Sequence, residues 1–271
     1  MKKNFIALAI VGLSAFSVLL HSCKKDTPDT ETQSSVDNSV CEGEFTSRIQ
    51  IINFLAQNSY KIKSVQTDGP TITTDTINRI LTIDYGQAGM TDTMDGDTRM
   101  RKGIIKVTFD SLWHKSKAIA SVQLLGYEVS NNGGASYIGY SADNFTIKRI
   151  DSLSYTFTIV GGHVSASGYN LQWATTRTIT QVGGHATVTN VNDDAYSASG
   201  RSTGVDRNGK SYSVSTTSPI VKQAGCAWIQ SGSMDLTPEG LSARTVDYGT
   251  GACDNKVGLV INGNTFTFSM N

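Results

Sequence analysis

Two cysteines near the C-terminus sit where a covalent staple would act. Cys226 opens the run Gly225-Cys226-Ala227-Trp228-Ile229, and Cys253 lies in the loop after Val246-Asp247-Tyr248. In an oxidising compartment thiols pair, and this pair would tie the last strands of the chain together. Closing a loop of that length stabilises by about 3 to 4 kcal/mol in the chain-entropy picture. Cys41 is left free or paired elsewhere. Metal ligation by these thiols is disfavoured, because no Cys-x-x-Cys or Cys/His spacing is present.

Carboxylates form three groups: Asp92, Asp95 and Asp97; Asn192-Asp193-Asp194; and Asp247, Asp254 and Asn255. Clustered oxygens of this kind could bind Ca²⁺, which takes hard oxygen ligands. The loop Asp92-Thr93-Met94-Asp95-Gly96-Asp97 lacks the closing glutamate of a calcium loop, so Asx turns are the simpler reading. His114 is isolated, while His163 and His185 each follow a Gly-Gly pair and read as loop-edge residues. There is no Gly-x-Ser-x-Gly elbow, no His-Glu-x-x-His and no phosphate-binding loop. No catalytic, cofactor-binding or metal-ligating residue is therefore assigned. Tyr127, Tyr137, Tyr140, Tyr169 and Trp173 lie on or near strands and are expected in the core rather than on a ligand platform.

The N-terminus carries an address. Lys2 and Lys3 precede an uncharged run, Phe5 to Leu20, followed by Leu20-His21-Ser22-Cys23. A basic start, an apolar stretch too short to span a bilayer and small residues at its end describe a secretory signal. Leu-x-Ser-Cys resembles the lipobox of bacterial lipoproteins. That resemblance implies removal of residues 1–22, acylation of Cys23 and attachment to a membrane. Several acyl chains on one cysteine give lasting attachment, since each buried methylene contributes about 0.8 kcal/mol.

Charge balances at 23 basic against 23 acidic residues, and charged residues make up only 17%. With no basic excess, nucleic acid is not an expected partner. Ser and Thr are abundant, Gly numbers 26 and Pro only 4. That mixture favours strands joined by tight turns over a helical bundle.

The segment 23–43 is polar and aperiodic and reads as the lipidated cysteine and a tether. Residues 44–271 then form the body. Glu44 to Gln57 reads as one short N-terminal helix, with Phe45, Ile49, Ile52 and Leu55 on one side and Asn58-Ser59 as breakers. A strand through 48–54 is the competing reading. Beyond Tyr60 the period is two. Strands are expected at Ile80–Tyr85, Lys102–Phe109, Ala118–Glu128, Ser136–Tyr140, Phe145–Ile150, Ser154–Val160, Ala166–Trp173, Thr175–Thr180, Ala186–Val191 and Ala195–Thr203. Asn208-Gly209 and Asn262-Gly263 mark type I′ hairpins. The fold class is all-β: an antiparallel meander, sandwich or barrel-like layer. Leu81-Thr82-Ile83-Asp84-Tyr85-Gly86 is echoed by Arg244-Thr245-Val246-Asp247-Tyr248-Gly249, which leaves open a duplication with sub-units at 44–150 and 151–271.

A broader likeness rests on two sets of residues. One is Ile83-Asp84-Tyr85-Gly86, Asp95-Gly96-Asp97-Thr98-Arg99 and Arg101-Lys102-Gly103-Ile104-Ile105. The other is Cys226-Ala227-Trp228-Ile229 with Asp247-Tyr248-Gly249-Thr250-Gly251-Ala252-Cys253-Asp254-Asn255. Over residues 80 to 271 the chain resembles uncharacterised outer-membrane lipoproteins of Bacteroidota. The resemblance implies a lipid-anchored β protein on the periplasmic or cell-surface face of the outer membrane, and implies no activity. The function expected is non-catalytic binding or a structural role, with a glycan or another envelope protein as partner. A glycan-active hydrolase is the alternative.

Overall fold

The computed structural model describes residues 29–58, 64–65, 69–91, 99–187 and 193–270. Cys23, the Asp92–Asp97 loop and most of the expected strand Ala186–Val191 lie outside them. One helix, α1 (Gln33–Asn58), is followed by fifteen strands: β1 (Ser64–Val65), β2 (Thr71–Asp75), β3 (Ile80–Asp84), β4 (Met90–Thr91), β5 (Met100–Phe109), β6 (Ile119–Ser130), β7 (Ile138–Arg149), β8 (Ser154–Ala166), β9 (Tyr169–Gly183), β10 (Ala195–Val205), β11 (Ser211–Gln223), β12 (Ser231–Pro238), β13 (Arg244–Thr250), β14 (Lys256–Ile261) and β15 (Asn264–Ser269).

The strands form a single antiparallel meander. Hydrogen-bonded order follows chain order from β1 to β15, except that β4 pairs onto β5 beside β3. The protein is therefore all-β with one helix. Pairing runs unbroken across residue 150, where β7 and β8 meet along most of their length, so residues 44–150 and 151–271 share one sheet. The expected breaks at 141–144 and at 174 are absent, and β7 and β9 each run straight through.

Between bulges, inward positions alternate with outward ones. In β5 the inward set is Arg101, Gly103, Ile105, Val107 and Phe109; in β9 it includes Leu171, Trp173, Thr175, Arg177 and Ile179. So long a sheet curls rather than lying flat. It curls around α1. Inward side chains from β5, β6, β9, β12 and β13, and Tyr85 just after β3, all hydrogen-bond to the helix.

The helix begins at Gln33, eleven residues before the expected Glu44. Residues 33–43, read as tether, are its first three turns, and most are buried. It ends at Asn58, as the breakers there predict. Its apolar side chains do not explain the extension: the added turns, 33–43, are mainly polar, yet most of their residues are enclosed. Such turns ordinarily lie in solvent. Here the wall of the curled sheet, an open barrel whose end strands β1 and β15 are not paired with each other, supplies the partners that water would.

The two Asn-Gly turns differ. Asn262 and Gly263 both have positive φ (50° and 81°) and join Ile261 directly to Asn264, the I′ geometry expected. At Asn208-Gly209 only Gly209 has positive φ. Asp206 and Lys210 extend the ladder, leaving a three-residue turn that Asp206 Oδ1 caps by accepting from Asn208 N and Lys210 N, each at 2.9 Å. That is the type I turn with a glycine bulge.

Candidate functional site

Two places gather chemistry: the interior around α1 and a groove on the outer face.

Inside, five wall arginines meet the acids of the N-terminal segment. Arg99 Nη1 and Arg101 Nη2 each lie 3.1 Å from Glu44 Oε2, and Arg48 approaches Glu44 Oε1 from within the helix at 3.2 Å. Tyr127 donates its hydroxyl to the same Oε1. Arg177 Nη2 stands 2.6 Å from Glu42 Oε2. Arg207 engages Asp37 through its backbone N, Nε and Nη2. Arg244 Nη2 holds Asp29 at 2.8 Å and Nη1 holds Glu31 at 2.7 Å. Amide and indole contacts fill the remainder. Trp173 Nε1 donates to Asn38 Oδ1 and Trp113 Nε1 to Asn53 Oδ1, each at 3.1 Å, while Phe45 stacks on Trp173 with centroids 5.3 Å apart.

The two central glutamates are tuned in opposite directions. Burial works to raise Glu44, but the guanidiniums of Arg101, Arg99 and Arg48 outweigh it and hold the carboxyl well below the usual range. At Glu42 burial prevails over Arg177 and pushes the pKa up; its Oε1 accepts no hydrogen bond. The Cys41 thiol, one residue away, is raised by burial and then by Asp37 and Glu42. These groups are closed off and paired, so their chemistry is assembly: they fix where α1 sits along the barrel.

The Asp-Tyr-Gly echo serves the same end. Asp84 Oδ1 accepts from Gly86 N and Asp247 Oδ1 from Gly249 N, each at 2.8 Å, and both glycines have positive φ. Each turn aims its tyrosine at the helix: Tyr85 Oη accepts from Arg48 at 2.8 Å, and Tyr248 Oη shares a hydrogen bond with Ser39 at 3.2 Å.

Outside, β8 bulges against β9 between Ile159 and Gly162. Asp143 of β7 lies over Gly161, leaving no room there for a side chain. The displaced backbone opens a groove of about 560 Å³ lined by Asp143, His163, Gln172, Thr203 and Ser211. A shallower groove of about 260 Å³, with Thr158, Val160, Thr176 and Arg201, adjoins it through Ala174 and Thr203. Hydroxyl pairs floor this face, among them Ser154 with Thr180 at 3.1 Å and Thr158 with Thr176 at 3.4 Å.

The disulfide Cys226–Cys253 is formed, with Cα atoms 5.8 Å apart, and Cys41 is free and buried. His114, His163 and His185 are all exposed, on separate elements. Tyr127, Tyr140 and Trp173 are core. Tyr137 and Tyr169 are half-buried beneath Lys102 and Arg207. Asp247 and Asp254 cap turns. Asp194 is raised by burial and committed to Tyr196 and Gln181. Among the described residues no group of three His, Cys, Asp or Glu side chains is placed to hold a metal ion. No described helix is long and apolar enough to cross a membrane.

Sequence reasoning missed the arginines altogether. The signal was there: Arg101, Arg177 and Arg244 each fall on the inward phase of a period-two run, ahead of Ile105, beside Trp173 and ahead of Val246. Comparison with known proteins finds no matching family model, no matching curated protein and no matching solved structure.

Proposed function

We propose that this chain is a cell-envelope lipoprotein of the Bacteroidota type, acylated at Cys23 and held at the outer membrane, whose β body binds a partner on its outer face without catalysis. One observation carries the non-catalytic part. The barrel interior, where folds of this kind keep ligands or reactive groups, is occupied by α1, and the acids there are spent on Arg99, Arg101, Arg177, Arg207 and Arg244. Recognition then falls to the groove beside the β8 bulge. Its hydroxyl, amide and imidazole groups suit the hydroxyls of an envelope polysaccharide.

The test is retention of purified, acylated protein on a panel of envelope and host polysaccharides. One glycan class should be retained, with at least a tenfold loss in His163→Ala and Gln172→Ala. Retention unchanged in both variants would remove the groove from consideration. Asp143 shares that groove, which keeps a hydrolase as the second reading. Oligosaccharide release that disappears in Asp143→Asn would replace binding by catalysis.

A further inference from the structure

The N-terminal segment is tied to one end of the barrel before it enters. Asp29 and Glu31 both grip Arg244, and Arg244 also donates to the Glu31 carbonyl. Two residues into the helix, Ser34 donates to Asp206 Oδ2 at 2.8 Å, and Asp37 holds Arg207. Arg244 pairs with Ile261, next to the β14–β15 turn; Asp206 and Arg207 belong to the β10–β11 turn; and Arg207 lies over Tyr169 at the β8–β9 turn, 4.1 Å from its ring centroid. The β12–β13 turn leads directly into Arg244. Four hairpin turns thus ring the entry of the helix.

Six peptide units separate Cys23 from Asp29. Fully extended they reach about 20 Å, roughly half the 39 Å or so that a 26-residue helix spans. From these distances we infer that the rim formed by the β8–β9, β10–β11, β12–β13 and β14–β15 turns rests against the lipid headgroups, and that the barrel axis stands away from the membrane with the C-terminal end of α1 outermost. The inference rests on the acylated Cys23 of the proposed function.

The two rims differ in the way this arrangement requires. At the entry rim the exposed turn residues are small or neutral, including Gly168, Asn208, Ser242, Ala243 and Asn262, with Glu239 as the exposed charge. Apart from Glu239 and the half-buried Lys210, the charges at this rim (Asp29, Glu31, Asp37, Arg207 and Arg244) are paired among themselves, so few uncompensated charges are desolvated when it approaches lipid. The opposite rim exposes Asp75, Arg79, Asp110, Lys115, Lys117 and Asp151, together with Ile77 at 88% exposure. It is built for water and for partners arriving from outside.

The test uses the intact lipoprotein in phosphatidylethanolamine/phosphatidylglycerol vesicles, with a donor dye on Asn208→Cys or Ser152→Cys and acceptor dye on the headgroups. Transfer from position 208 should exceed that from 152 several-fold. A twelve-residue Gly/Ser insertion after Pro28 lengthens the leash without touching the body and should shrink the difference. Equal transfer from both positions in protein whose mass shows acylated Cys23 overturns the orientation alone. Protein recovered from the envelope with an unmodified Cys23 overturns the anchor, and the orientation falls with it.

Discussion

Arg101 Nη2 lies 3.1 Å from Glu44 Oε2, with both side chains sealed from solvent and 57 positions apart in the chain. The pair joins α1 to β5 at the midpoint of the helix. Removing one member of a buried pair strands the other and costs about 3 to 5 kcal/mol. Glu44 keeps Arg99 and Arg48 when Arg101 is lost, so Arg101→Met should lower the unfolding free energy by no more than the lower end of that range, read from urea unfolding. The double variant with Glu44→Met should be no more stable than the single one, because Arg99 and Arg48 then lose the carboxylate they share with Arg101. Lys102→Ala, which breaks the exposed pair with Glu128 at 2.9 Å, should cost about 1 kcal/mol or less.

Acid should act through Glu44. Burial opposes its ionisation but three guanidiniums prevail, so the folded pKa lies below the unfolded value of about 4.3. The unfolded chain then takes up the proton first. Stability from this group is complete above about pH 4.3 and is lost as pH falls toward the folded pKa. Glu42, raised by burial, has the opposite sign: its contribution is present at low pH and lost as pH rises through its folded pKa. Melting temperatures recorded from pH 7 to pH 3 should fall less steeply in Glu44→Gln than in the natural protein. Glu42→Gln, which removes a group that gains stability as pH falls, should make the decline steeper.

The disulfide closes the turn between β11 and β12 onto the loop after β13. Cys226 is buried and Cys253 exposed, so a reductant has one sulfur to attack. Cys226→Ser with Cys253→Ser should lower unfolding free energy by about 3 kcal/mol, with little change in far-ultraviolet circular dichroism. Under native conditions the Cys41 thiol, raised by burial, should stay silent to a thiol reagent and react once the barrel is unfolded.

Strands and turns were legible because their signals are local. Period-two alternation located β3, β5, β6 and β8 to within a few residues or at one end, and Asn262-Gly263 named its own turn. The helix N-terminus was not legible. Residues 33–43 carry too little apolar surface to predict burial, and the reason they are buried lies 135 residues away for Glu42 with Arg177, and 170 for Asp37 with Arg207. A charged residue on the inward phase of a strand is ambiguous without its partner. The outer groove was equally hidden, since a one-residue bulge at Ile159–Gly162 leaves no mark in composition.

Glycine gives the sharpest test of the wall itself. Gly103 has a φ of 85° and faces Gly126 across the bulge between β5 and β6; a Cβ there would stand 2.1 Å from the Gly126 carbonyl oxygen. Two penalties combine: a left-handed backbone that a side chain resists, and a backbone-to-backbone clash that no rotamer relieves. Its N–H and C=O are also engaged, with Gly86 and Tyr85, so the segment cannot shift without breaking the turn that aims Tyr85 at Arg48. Gly209, with a φ of 78°, meets nothing within 4 Å and carries only the conformational penalty. Gly209→Ala should cost about 1 kcal/mol, measured by urea unfolding. Gly103→Ala should cost at least 3 kcal/mol, in the range of buried-pair loss, or prevent folding altogether. Equal costs at the two positions would show that the wall at β5 and β6 yields, and that the helix contacts of Tyr85 and Arg101 survive its movement.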